Sequence, residues 1–404
     1  MTLAWVATDA RTGVILADLP HLECQSVKRS IGRYESASAS LPLPNAPENW
    51  QLATRPGGAN LHLLSDGVPI WGAMVTQRPR DLTDNLPLAL ATIESYLDRR
   101  ITGDITYTSV GQNDIVADLF ARFVVTGPRG GIPFRIQYST PGVGALRDRA
   151  YLRSDRKTVY SALTELSAVL GGPEWTVEWE WQHSPERITP VLYVGDRVGR
   201  TVTPGLAPTA TFQAPGCIIA AVMTEDYSSG KGANSVIAYS SAAAGDVPTS
   251  LAQVAPDDGR PTFEVDIQPS TSITDIATLT AHAQSALASL APGGSALAMS
   301  AAVESAPPLG VDWVLGDDVG YSIGGLEVDP RRHDVDVYAD TWSDIWSDVW
   351  GVYTGRERVP VNPNGRQSIP AFPGGISGVL RCVGWELVPD GVQVVTPILA
   401  SIGA

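Results

Sequence analysis

Lysine, cysteine and histidine are scarce in this chain, and each scarcity narrows what it can be. All but three of its 28 basic residues are arginine, the exceptions being Lys28, Lys157 and Lys231. Against 43 acidic residues this leaves a formal net charge of -15 and a sequence pI near 4.7. A surface of that sign repels phosphates, which argues against a protein that grips nucleic acid through clustered Lys and Arg. The arginine skew suggests a GC-rich genome, and it supplies planar guanidinium groups suited to contacts between subunits. Cys24, Cys217 and Cys382 are far apart and lack CxxC spacing, so neither a disulfide framework nor a zinc site is indicated and buried free thiols are expected. The five histidines, His21, His62, His183, His282 and His333, are scattered singly, as surface or core residues are. MTLAWVATDARTG lacks a basic stretch followed by an apolar core, and no run approaches the roughly 18 apolar residues of a membrane span. Synthesis and assembly in a reducing cytoplasm, with no stable membrane association, are expected. HExxH, GxSxG, GxxxxGK[ST] and a glycine fingerprint between strand and helix are also missing. No catalytic residue, cofactor or metal is therefore expected, and the protein reads as a non-enzyme.

What is present is enough for a sizeable core. The 404 residues exceed the roughly 250 to 300 at which a single core stops growing, so about three domains are expected, and 44% hydrophobic with 18% charged residues is ordinary for folded protein. The first hundred residues read as β hairpins. Ala37, Ala39, Leu41 and Leu43 alternate with serines, and Leu61 to Leu64 joins Val68 to Val75 through the turn Ser65-Asp66-Gly67. Two helices follow. Asn113 or Asp114 is the expected cap of one, with Val116, Leu119, Phe120 and Phe123 on a face. The other starts near Ser154-Asp155, carries Val159, Leu163, Leu166 and Leu170, and stops at Gly171-Gly172-Pro173. A third helix is expected from Ser272, with Ile276, Leu279, Ala283, Leu287 and Leu290 inward. Val383 to Leu387 and Val392 to Thr396 form a last hairpin. Leu315-Gly316-Asp317-Asp318-Val319-Gly320 echoes Val194-Gly195-Asp196-Arg197-Val198-Gly199, a hint of two related barrels.

Two segments are candidates for chemistry. In the strand pattern from Trp175 to Gln182, Trp175, Val177, Trp179 and Trp181 face one way and Thr176, Glu178, Glu180 and Gln182 the other. Carboxylates beside tryptophans suggest a glycan-cleaving site, with Glu174, Glu178 and Glu180 as its acids. The geometry opposes it, because Glu178 and Glu180 point away from the rings. In residues 340–351, Trp342, Ile345, Trp346, Val349 and Trp350 share a stripe if the segment is helical; the helix is preferred because a strand would put Asp344 and Asp348 on the tryptophan face. Three tryptophans carry roughly 450 to 750 Å², more than a monomer usually exposes in one patch. The stripe is a candidate interface, covered by the chain's own barrel, by a neighbouring subunit or other protein, or by an envelope surface.

The order of these features resembles the minor tail proteins of siphophages infecting actinobacteria, a family similar to the tail-hub or baseplate-hub proteins of long-tailed phages. The resemblance lies in SDGVPIWGAMV, ATIESYLDRRIT, DRKTVYSALTELSAVLGG, DYSSGKGANSVIAYSS, SITDIATLTAHAQSALASL, PLGVDWVLGDDVGYSI and CVGWELVPDGVQVV, which together span nearly the whole chain. WSDIWSDVW is not part of that pattern. The resemblance implies an α+β, β-dominated, multidomain fold with two small β-barrel-like domains and an inserted α/β region. Residues 1–98 would be the first barrel, 99–200 the α/β region with the Trp strand, 201–300 crossing strands and a helix, and 301–404 the second barrel. It further implies a structural hub at the virion tail tip, a homotrimer whose barrels form a ring that closes the tail tube. The distal tail protein or tail tube would lie above it and tip or fibre proteins below. The tape measure protein is a further expected partner, and DNA only passes through. A glycan-binding or glycan-cleaving tail protein and a receptor-binding adhesin are the alternatives.

Overall fold

The computed structural model describes residues 2–324 except 141, 143, 169–170, 204, 229, 242–246, 270–274 and 292, together with 361–362, 366–367, 371–372 and 374–400. The candidate interface Trp342, Ile345, Trp346, Val349 and Trp350 lies outside the described residues. The chain is β-dominated and divides into two compact units. One comprises Met1–Ala220 with Ser300–Ile398, the other Ala221–Met299 with Leu399–Ala404. No helix among the described residues is long and apolar enough to cross a membrane.

The larger unit opens with a seven-stranded sheet in the order Ile15–Asp18, Leu3–Asp9, Ala59–Ser65, Val68–Gln77, Asn85–Thr92, Ser36–Pro42 and Glu23–Cys24. The expected hairpin is its centre: Ser65 pairs with Val68 across Asp66 and Gly67, whose φ values of 47° and 84° are those of a two-residue turn that matches strand twist. Gly72, on the returning strand, is a glycine for another reason. A Cβ there would lie 2.5 Å from Trp179 Nε1 and 2.6 Å from His62 Nδ1, so its absence lets the tryptophan strand press on this sheet.

That strand, Glu174–His183, pairs antiparallel with Glu186–Gly195, which pairs in parallel with Arg135–Tyr138. Trp175, Val177 and Trp179 are buried as their period predicts, in one core with Val116, Leu119, Phe120, Val159, Leu163 and Leu166 of the helices Gln112–Phe123 and Val159–Ser167. Both helix starts differ from expectation. Gln112–Phe123 follows Gly111 without a side-chain cap, because Asn113 is buried inside the first turn and its amide donates to Asp196 Oδ1 at 3.2 Å. The second helix is capped by Thr158, whose hydroxyl accepts from Ser161 N at 3.1 Å, while Ser154 and Asp155 form a separate 3-10 turn. Leu170 lies outside the described residues.

A second sheet of the same unit runs through Thr211–Ala214, Asp318–Ile323, Ile376–Val388 and Val394–Leu399, and Ala301 and Ala302 continue it by pairing with Val395 and Val394. Strand Val27–Ser30 joins this sheet and not the first: Val27, Lys28, Arg29 and Ser30 pair with Leu387, Glu386, Trp385 and Gly384. The amino-terminal hundred residues thus supply strands to two sheets.

In the smaller unit Ser235–Ala238 lies between Gln253–Val254 and Glu264–Ile267, and helix Ile276–Leu290 packs on them through Leu279 and Ala283. Ser272, the expected cap, lies outside the described residues. Ile276, expected inward, is 54% exposed, since it opens the helix before the first buried turn.

Candidate functional site

The carboxylates that tempted an enzymatic reading are all engaged. Glu174 receives a bidentate contact from Arg381, with Nη1 to Oε1 at 2.6 Å. Glu178 accepts from Arg29 Nη1 at 2.5 Å, and Glu180 pairs with Arg135 at 2.9 Å. Trp175 and Trp179 lie on the opposite, buried face at 1% and 7% exposure. The strand therefore offers neither an open ring platform nor a free pair of acids. Among the described residues no group of three or more His, Cys, Asp or Glu side chains is placed to hold a metal. All three cysteines are free and buried, and burial pushes the thiols of Cys24 and Cys382 up to about 12.

The two Gly-Asp sequences that echo one another lie against each other in space. Gly199 (φ 83°) and Gly316 (φ 94°) approach so closely that a Cβ on Gly199 would sit 2.0 Å from the Gly316 carbonyl carbon, and one on Gly316 would sit 2.5 Å from Val198 O. Only glycine fits either place, for conformation and for space. The aspartates beside them close the contact. Asp317, fully buried, accepts from Arg200 N at 2.5 Å, Arg200 Nε at 2.9 Å and Val314 N at 3.0 Å. Asp318 accepts from Val202 N at 3.0 Å and pairs with Arg197. Arg381 completes the clasp by donating to Val198 O at 3.0 Å while it holds Glu174. Three acids and three arginines from distant parts of the sequence thus bind the tryptophan strand and its partner to the second sheet. Removing one member of so enclosed a set strands its partner, which is the costly way to break an ion pair.

A second junction is built on Arg29. Its side chain is 6% exposed and donates to Glu178, to Thr176 Oγ1 at 3.0 Å and to Val177 O. Because Arg29 sits on the strand that joins the second sheet, it ties that sheet to the tryptophan strand. The neighbouring indole of Trp71 donates to Lys28 O at 3.0 Å and ties in the first sheet. Glu94, in the 3-10 turn Ile93–Arg99, is also buried here, and its Oε2 has no partner among the described residues. Burial raises the Glu94 carboxyl above its ordinary value, and Glu178 adds to the rise while Arg29 opposes it. His62 is buried against Trp179, ring centroids 4.4 Å apart, with its Nε2 paired to Thr8 Oγ1 at 2.8 Å; burial pushes it down to about 3, so it is neutral. A cleft of about 400 Å³ opens between the junctions, with Thr176, Glu178, Tyr193, Arg200, Asp317 and Trp385 in its walls. Sequence reading missed these arginines as sites. The signals available were the arginine skew and the repeated Gly-Asp.

The fold defines a class: it is the fold of bacteriophage tail proteins. The chain is similar to the tail protein of Neisseria meningitidis MC58, with 13% identity, a TM-score of 0.51, and 99% of this chain aligned to 97% of that one. It is equally similar to the 43 kDa tail protein of prophage MuSo2 from Shewanella oneidensis, with 10% identity, a TM-score of 0.52, and 98% of each chain covered. No protein-family model matches the sequence, and no curated protein matches it.

Proposed function

We propose that the chain is a structural tail-hub protein of a siphophage, assembled in the host cytoplasm and seated at the virion's tail tip. In this reading three copies form a ring that closes the tail tube beneath the distal tail protein or tube, carries the tip or fibre proteins, meets the tape measure protein and lets DNA pass. The observation that carries the reading is the likeness in fold to two phage tail proteins over 98% or more of the chain. The arginine pairing of Glu174, Glu178 and Glu180 supports a structural role over glycan cleavage. Two small barrels per chain, in the first and last of the four segments 1–98, 99–200, 201–300 and 301–404, would give six similar units in a trimer. Closing them removes sheet edges that would otherwise aggregate. A net charge of -15 suits a passage to which DNA must not adhere. The stripe Trp342, Ile345, Trp346, Val349 and Trp350 is proposed as a contact with a neighbouring subunit.

The test is a low-resolution map of the tail tip from intact virions with this chain labelled. Density on the tail axis is expected, and a label on a peripheral fibre would refute the reading. Cell-wall hydrolysis by the purified protein, lost in the Glu178→Gln/Glu180→Gln variant, would refute it independently.

A further inference from the structure

Most arginines near the core are neutralised by their own chain: Arg29, Arg135, Arg197, Arg200 and Arg381 each hold a carboxylate. Arg78 and Arg80 differ. Their guanidinium carbons each lie 5.7 Å from the ring centroid of Trp50, which is half-buried at the start of the short helix Trp50–Ala53. Arg78 is fixed there by donating to Gln51 O at 2.7 Å and Thr54 Oγ1 at 2.9 Å. Among the described residues neither arginine forms an ion pair. Asp81, next in the chain, is turned into its own loop, accepting from Thr83 N at 2.8 Å and Thr83 Oγ1 at 2.6 Å. The same loop, residues 78–84, raises Leu82 to 106% exposure, and Leu52 on the helix is 43% exposed. A stacked tryptophan, two unneutralised guanidinium groups and a bare leucine are the composition of an interface anchor.

We propose that loop 78–84 with Trp50 is a contact surface for a second copy of this chain, Arg78 and Arg80 receiving its carboxylates and Leu82 becoming buried. The inference rests on the reading of the chain as a ring-forming hub. Charge decides the occupant. Two copies that each carry -15 repel one another, so they associate only where acidic surface on one meets locally positive surface on the other. Attraction of this kind is screened beyond about 8 Å at physiological salt, so it acts at contact and weakens as salt rises.

The full chain carrying Arg80→Gln and Leu82→Ser tests this, since Arg80 makes no hydrogen bond among the described residues that folding would miss. In sedimentation equilibrium the association constant is expected to fall at least about tenfold, with a flatter salt dependence, while circular dichroism and the melting curve stay as in the wild type. A wild-type oligomer that the two substitutions leave unchanged overturns this surface and spares the hub reading. A wild-type chain that stays monomeric at every concentration overturns both. A variant that oligomerises normally but fails to enter tails also overturns the second-copy assignment, because the surface then meets a different acidic tail component.

Discussion

In an Arg29→Met variant the methionine fills much of the arginine's volume without its charge, so the effect isolates the electrostatics of the three-sheet junction. Thr176 Oγ1 and Val177 O lose their donor, and Glu178 and Glu94 lose the neighbouring cation. Breaking a buried pair from one side costs about 3–5 kcal/mol. The Glu178 side chain retains 25% exposure, so water takes up part of the loss and the lower end, about 3 kcal/mol, is expected. Urea unfolding followed by tryptophan fluorescence reads this unit, because no tryptophan lies between residues 221 and 299. The pH dependence is a sharper check. Glu94 binds its proton more tightly folded than unfolded, so its contribution is most favourable below the unfolded value of 4.5 and erodes as pH rises toward the folded one. Arg29 opposes that rise. Its removal widens the window, and the deficit should be small near about pH 4 and full near about pH 8. Adding Glu94→Gln should recover about 1–2 kcal/mol at the higher pH. A deficit under about 1 kcal/mol there, or one that grows on acidification, would refute the account.

Gly316→Ala should cost more than about 2 kcal/mol, since strain at φ 94° adds to a 2.5 Å approach to Val198 O, whereas Gly67→Ala, with nothing within 4 Å, should cost about 1 kcal/mol; equal urea midpoints would contradict the clasp. Cys24 and Cys382, both buried with thiols near 12, should resist a disulfide reagent in the native protein and react on unfolding, so rapid native labelling of either would count against their burial. Trp346→Ser should damage either folding of the isolated chain or its incorporation into tails, and a variant normal in both would mean that the stripe is not covered.

The sequence displayed what is local. The tryptophan strand was legible because Trp175, Val177 and Trp179 keep a period of two and a single face is buried. The hairpin at Asp66-Gly67 was legible because its turn needs positive φ at both positions. The helix starts were less so: Asn113 competes as a cap by composition, yet its amide is drawn to Asp196, more than eighty positions away. Nothing local announces that Val27–Ser30 belongs with Gly384–Leu387, because a four-residue strand with two basic side chains carries no partner information. The Gly-Asp echo gave no local sign that its two occurrences meet, Gly199 against Gly316.

The exchange of Val27–Ser30 into the later sheet sets an order of events during synthesis. At roughly 5–20 residues per second, tens of seconds separate the emergence of this strand from that of Ile376–Val388, which it must join. Until then Arg29 has no settled place, and the larger unit stays unfinished.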